Sequence, residues 1–158
     1  MLLIKTKILY SGNDGLGLFA ASDIKKGQEV WTYNSNTTKT FWKSDFCRTL
    51  EKMSIESILE FINFSYIRSG TIFYLNDNSR YIKHSDDPNI AYVDDLTMVA
   101  IRNIKKDEEI LKNYSLSFDK NDFNFSKKLK KAKSKDAIIE EVSRLIMRTG
   151  RPDTSFIF

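Results

Sequence analysis

The chain carries one histidine, His84, inside the ten-residue stretch RYIKHSDDPN that runs from Arg80 to Asn89. A lone imidazole usually has its ring satisfied by near neighbours, so any chemistry assigned to it needs support from the residues around it. Those residues have strong backbone demands. Ser85, Asp86 and Asp87 run into Pro88, which pushes Asp87 to an extended conformation and withholds one amide donor. Asp-Pro-Asn is turn chemistry. The stretch therefore reads as an ordered connection between strands, with its polar side chains held in definite directions. Two other stretches stand out. Ser11 to Gly17 (SGNDGLG) is a glycine-rich turn in which Gly12, Gly15 and Gly17 can take positive φ. Glu108 to Tyr114 (EEILKNY) joins paired carboxylates to a tyrosine.

In this order the three stretches resemble those of SET-domain protein-lysine methyltransferases. RYIKHSDDPN resembles the family's arginine-phenylalanine-x-asparagine-histidine-serine-x-x-proline-asparagine motif, Gly15 to Phe19 (GLGLF) its GxG segment, and Glu108 to Tyr114 its glutamate-glutamate-leucine-x-x-aspartate-tyrosine segment. Together they cover roughly Ser11 to Phe118. The resemblance implies a mainly β, α+β architecture, the SET β-clip fold of small sheets. It also implies a pseudo-knot in which the central motif and the Glu108–Tyr114 segment pass through one another, a rare arrangement. The implied activity is methyl transfer from S-adenosylmethionine to the side-chain amine of a lysine in a protein or peptide, a histone being one candidate.

That transfer is an in-line displacement. It needs a neutral amine, alignment of nitrogen, methyl and sulfur, and a pocket that excludes water. Burial favours the neutral amine, aromatic faces accommodate cations, and oxygens around the polarised methyl accept weak C–H···O contacts. Tyrosine offers a ring, a hydroxyl and two stiff torsions. By the resemblance, Tyr114 is the main catalytic residue, Tyr92 orients the lysine amine, and Tyr33 lines the lysine channel. Gly15, Leu16, Gly17, Arg80, Lys83 and His84 are the implied cofactor-binding residues, His84 through backbone groups and not as a general base. Asn89 and Glu109 take structural roles, and Phe118, Phe123 and Phe125 are candidates to stack on adenine. Two positions depart from the pattern: Lys83 stands where the family has asparagine, and Asn113 where it has aspartate. A lysine ammonium near an amino group and a sulfonium is repulsive at short range, unless it turns to the cofactor carboxylate or to solvent.

The elements that would position these residues are short. Leu2 to Tyr10, Leu18 to Ala21 and Glu29 to Tyr33 read as strands, as do Thr71 to Leu75, Ala91 to Val93 and Leu96 to Ile101, the last two joined by an Asp94-Asp95 turn. SDIKKGQEV (Ser22–Val30) and RNIKKDEEI (Arg102–Ile110) are two versions of one strand-turn-strand device. Between Asn34 and Ser69 lies an insert with helical spacing: Ser54 as N-cap, then Ile55, Ile58, Leu59 and Ile62 on one face. A second helix is expected after the lysine run Lys127–Lys135, capped by Asp136, with Ile138, Val142, Leu145 and Ile146 on one face and ended by Gly150 and Pro152.

With 158 residues and 41% hydrophobic residues the chain can bury a core. The expected organisation is a SET domain over 1–118, with its variable insert at 34–69, and a basic, helical segment over 119–158. The single Cys47 excludes a disulfide framework and a Cys-cluster zinc site, and suggests a reducing compartment. The opening MLLIKTKILY is interrupted by Lys5 and Lys7, too soon for a signal peptide, and no stretch reads as membrane-spanning. An intracellular protein, cytoplasmic or nuclear, is expected, as monomer or homodimer. Two other readings remain open: a SET-like module that holds peptides without turnover, motivated by Lys83, and an accessory nucleic-acid contact through Lys127–Lys135.

Overall fold

Glycine, asparagine and aspartate break the apolar runs every few residues, so the sheets are built from short strands. The computed structural model describes residues 1–12 and 15–147. In chain order the elements are β1 (Thr6–Tyr10), β2 (Leu16–Ala20), β3 (Glu29–Thr32), β4 (Thr38–Phe41), α1 (Lys43–Glu51), α2 (Ile55–Asn63), β5 (Ser65–Arg68), β6 (Thr71–Leu75), β7 (Lys83–His84), β8 (Ile90–Tyr92), β9 (Thr97–Ala100), β10 (Leu111–Lys112), α3 (Tyr114–Ser117), α4 (Lys127–Lys131) and α5 (Lys135–Met147). This is the expected α+β class of small sheets with a C-terminal helix. No helix of the described residues is long and apolar enough to cross a membrane.

The chain divides into two compact units. One takes Met1–Thr38 and Leu75–Ser117, the other Lys39–Tyr74 and the chain from Phe118 onward. In the first unit β1 and β2 form an antiparallel hairpin from Thr6↔Ala20 to Tyr10↔Leu16. β9 lies between β3 and β8 in a second antiparallel sheet. β7 and β10 pair in parallel, Leu111 with Lys83 and Lys112 with His84. Leu18, Val30, Trp31, Ile82, Ile90, Met98, Ile104 and Ile110 are buried here. Leu2 to Lys5, expected as strand, contributes only an isolated bridge from Leu2 to Trp31.

The repeated device folds into two arms that clasp each other. Ile24 and Ile104 exchange both backbone hydrogen bonds, at 2.8 and 2.9 Å. Asn103 Oδ1 accepts from the Lys26 amide at 2.9 Å, and Asp23 Oδ1 accepts from the Lys106 amide at 2.8 Å. Inside each arm the side chain after the turn closes it: Gln28 accepts from the Lys25 amide, Glu108 from the Lys105 amide. The fourth residue of each turn has positive φ, Gly27 at 83° and Asp107 at 68°. One sequence phrase thus gives one local geometry twice.

In the second unit Ser54 caps α2, its Oγ accepting from the Ser57 amide at 3.3 Å. Ile58 and Ile62 are buried as expected, but Leu59 is 47% exposed, because it lies at the margin of the apolar stripe. The β5–β6 hairpin turns at Ser69 and Gly70, both at positive φ. The Asp119 carboxylate accepts from both of their amides at 2.9 Å. Phe46, Leu50, Ile58, Ile67 and Phe123 pack with Ile138, Val142, Leu145 and Ile146 of α5 in one core. Ser134, not Asp136, caps α5: its Oγ accepts from the Ala137 amide at 3.2 Å, and Asp136 sits in the first turn instead. The expected helix stop at Gly150 and Pro152 lies outside the described residues.

Candidate functional site

The Glu108–Ile110 segment is the hub of the first unit. On one side it lies along β2, with the Ile110 amide donating to Leu18 O at 2.7 Å and the Ala20 amide to Glu108 O at 2.9 Å. On the other side it meets Asn89, which is fully buried. Asn89 Nδ2 donates to Glu109 O at 2.7 Å and to Glu108 Oε1 at 3.3 Å, and Asn89 Oδ1 accepts from the Leu111 amide at 2.8 Å. The Asn89 and Ser85 amides donate to Leu111 O and Lys112 O, each at 3.0 Å. The central motif and the Glu108–Tyr114 segment therefore run side by side. Burial pushes the Glu108 carboxyl upward, but hydrogen bonds from the Lys105 amide, Arg102 and Asn89 outweigh it and leave the carboxyl below the usual range.

The glycine turn joins this hub from the β2 side. Gly15 has φ of 77°, open to glycine at little cost. Gly17 is needed for a different reason: a Cβ there would collide with the Glu109 carboxylate and lie 3.1 Å from Ser11 Cβ. Glu109 Oε2 accepts from Ser11 Oγ at 2.8 Å. Oε1 is buried with no hydrogen-bond partner among the described residues. Leu16, between the two glycines, is 49% exposed. The Lys83 ammonium donates to Gly15 O at 3.3 Å, which ties the central motif to the turn.

Tyr114 begins α3 directly beyond β10. Its phenol donates to Ile82 O at 2.9 Å, and its amide donates to His84 Nδ1 at 3.1 Å. A nitrogen that accepts leaves the ring proton on Nε2, which lies 3.4 Å from Asp86 Oδ1. The His84 imidazole thus fixes the backbone entering α3, and its ring sits 5.4 Å from that of Tyr114. Asn113 Oδ1 accepts from the Ser115 amide at 2.9 Å, a role that needs only an acceptor oxygen, so the loss of the family's charge leaves this local turn intact.

Tyr92 ends β8, edge-on to Trp31 with centroids 6.2 Å apart. The rings of Tyr92 and Tyr114 converge on one cation, the Lys112 ammonium, which lies 5.8 Å from the first centroid and 5.7 Å from the second. Lys112 was not among the expected site residues. Tyr33 follows β3, its amide donating to Leu96 O at 2.8 Å. β9 separates it from β8, so Tyr33 and Tyr92 stand roughly 10 Å apart across the sheet. The Arg80 guanidinium carbon lies 5.3 Å from the Tyr81 centroid, and its Nη2 donates to the Tyr81 hydroxyl at 3.5 Å. Of the adenine candidates, Phe123 is a core residue stacked on Phe46, Phe118 stacks on Tyr66, and Phe125 is 39% exposed.

The family model described as SET domain matches residues 15–115, more than half of the chain. No curated protein matches the chain. Among solved structures it is similar to the Neurospora SET domain protein DIM-5, a histone lysine methyltransferase, at 17% identity and TM-score 0.51, covering 72% of this chain and 53% of that one. It is similar to the methyltransferase domain of the human histone-lysine N-methyltransferase SETMAR, at 22% identity and TM-score 0.53, covering 72% and 45%. A third similarity is to Polycomb Repressive Complex 2 of Chaetomium thermophilum bound to S-adenosylmethionine, at 25% identity and TM-score 0.55, covering 73% of this chain and 16% of that one. The chain spans about half or less of the length of these proteins, and the first two likenesses are of fold alone. The three motifs, their meeting at one hub and the family match agree: the chain belongs to the SET-domain family.

Proposed function

We propose that this chain transfers a methyl group from S-adenosylmethionine to the side-chain amine of a lysine in a protein substrate, with histones the first class to test. The observation that carries this reading is the setting of Tyr114, whose phenol is oriented by Ile82 O and whose ring faces a cation together with Tyr92. The cofactor supplies, when bound, a sulfonium whose methyl carbon is electrophilic. Because the Tyr114 hydroxyl donates its proton to a carbonyl, its oxygen lone pairs act as acceptors, suited to C–H···O contacts with a polarised methyl. The two ring faces receive the lysine amine, and the half-buried walls keep water from it. Tyr33 would line the channel farther out.

The residues present fit the amino-acid end of the cofactor. Gly15 O already accepts from one ammonium, that of Lys83. A bound amino group could take that acceptor while Lys83 turns to solvent. Backbone of Gly15, Leu16 and Gly17 and of His84, together with Arg80, would complete the contacts.

The test is transfer of labelled methyl to histones and cell extract, comparing wild type with Tyr114→Phe and Lys83→Asn. Tyr114→Phe should lose about a hundredfold or more in rate, and Lys83→Asn should bind cofactor as well or better. Equal transfer by Tyr114→Phe and wild type would remove the catalytic assignment. Lys83 itself favours a second reading, a peptide-holding module without turnover. Calorimetry decides between them: no heat with S-adenosylmethionine at high concentration supports the second.

A further inference from the structure

Lys112 is the most deeply buried lysine side chain described near the site, at 3% exposure. Burying an ammonium is expensive unless something replaces its water. Two aromatic faces from different elements lie beside it, Tyr92 from β8 and Tyr114 from α3. Its backbone has little freedom to move. Lys112 pairs with His84 across the parallel ladder, and its carbonyl accepts from the Ser85 amide at 3.0 Å. Only the side chain can change place.

We propose that Lys112 is a built-in occupant of the amine clamp, a pseudosubstrate whose ammonium fills the space between Tyr92 and Tyr114 that an incoming lysine must take. This rests on the reading of that clamp as the acceptor site. An amine held beside two ring faces makes the contacts that a substrate lysine would make there, so Lys112 plugs the site. A substrate lysine binds only to the fraction of molecules in which Lys112 has swung out. Its apparent affinity falls by that fraction. Cation–ring contacts favour the state with Lys112 in place, so removing the internal cation should tighten amine binding on the order of tenfold.

The probe is n-butylammonium, which reproduces a lysine side chain, titrated against the ring resonances of Tyr92 and Tyr114 by NMR. Lys112→Met keeps an unbranched apolar stem and removes the charge. It should bind the probe about tenfold more tightly than wild type, whereas Lys112→Arg, which retains a cation, should bind no better than wild type. If thermal melting shows that Lys112→Met does not fold, Lys112→Gln takes its place in the same titration. Equal probe affinity in wild type and the neutral variant overturns the proposal, whatever the methylation assay gives. Labelled-methyl transfer is then measured on the same proteins. Tight probe binding without transfer by either form keeps the plug and removes the transferase reading. Transfer with an unchanged KM in the neutral variant removes the plug and keeps the transferase.

Discussion

Replacement of Asn89 probes the joint that brings the two motifs together. Its side chain satisfies the Glu109 carbonyl, the Leu111 amide and, more weakly, the Glu108 carboxylate, from a fully buried position. Asn89→Ala strands one main-chain acceptor and one main-chain donor at about 1–3 kcal/mol each, so a loss of roughly 2–6 kcal/mol is expected. That is a large part of the 5–15 kcal/mol typical of a whole domain. Asn89→Asp is nearly the same shape and keeps the acceptor for the Leu111 amide. It aims a carboxylate oxygen at the Glu109 carbonyl and Glu108 carboxylate, so the introduced carboxyl has a raised pKa in the folded state. The folded form then holds the proton more strongly than the unfolded chain. The deficit is greatest at neutral pH and shrinks as pH falls and the carboxyl becomes a donor. Wild type runs the other way through Glu108. That carboxyl is held low by the Lys105 amide, Arg102 and Asn89 against the raising effect of burial, so its contribution is present above the ordinary carboxylate range and fades as acid protonates it. Urea titration at about pH 7 and about pH 4.5, read by the buried Trp31 in a Trp42→Phe background, measures both variants in the unit that matters. A cost below about 1 kcal/mol for Asn89→Ala, or a pH-independent deficit for Asn89→Asp, would refute the reasoning.

Gly17→Ala should cost about 1–3 kcal/mol by driving a methyl into the Glu109 carboxylate, and should weaken S-adenosylmethionine binding in calorimetry, whereas Gly15→Ala meets open space and is opposed only by its φ. The two arms predict opposite signs for matched changes: Gly27→Ala lowers the melting temperature, by about 1 kcal/mol of stability, and Asp107→Gly raises it, since the Lys7–Asp107 pair lost in the second is exposed. In the second unit, Arg144 beside Glu141, helped by Ser126 against burial, holds the Glu141 carboxyl down to about 2. Its contribution is therefore complete above the ordinary glutamate value and is lost as pH falls toward 2. Glu141→Gln should cost about 1–3 kcal/mol at neutral pH and flatten the acid limb of the denaturation curve.

Local rules made much of this chain legible because the residues that punctuate it act over a few positions. Ser54, Gly15 and the paired IKK phrases each predicted what the structure contains, since a cap, a positive φ or a turn needs only its neighbours. Position 136 shows the limit. Asp136 and Ser134 are both good capping residues, and the choice fell to the residue whose carbonyl and hydroxyl could both serve the first turn, Ser134 accepting from the Ile138 and Ala137 amides. Leu59 shows another, because a stripe on one helix does not say how wide the partner surface is.

Lys112 marks where motif reading and physical reading diverge. In the motif it falls on a variable position, and charge argues for solvent. Strand geometry argues otherwise: Lys112 lies two residues beyond the buried Ile110, on the same face of an extended segment. That period was available in EILKN and would have sent the side chain inward. What no local rule supplies is the pair of rings awaiting it. Tyr92 and Tyr114 lie far apart along the chain and converge only because β7 pairs with β10 and Asn89 fastens the same two segments. The convergence of the two rings on the Lys112 ammonium is thus one consequence of the parallel joint, and loosening that joint should part the rings and weaken the unit together.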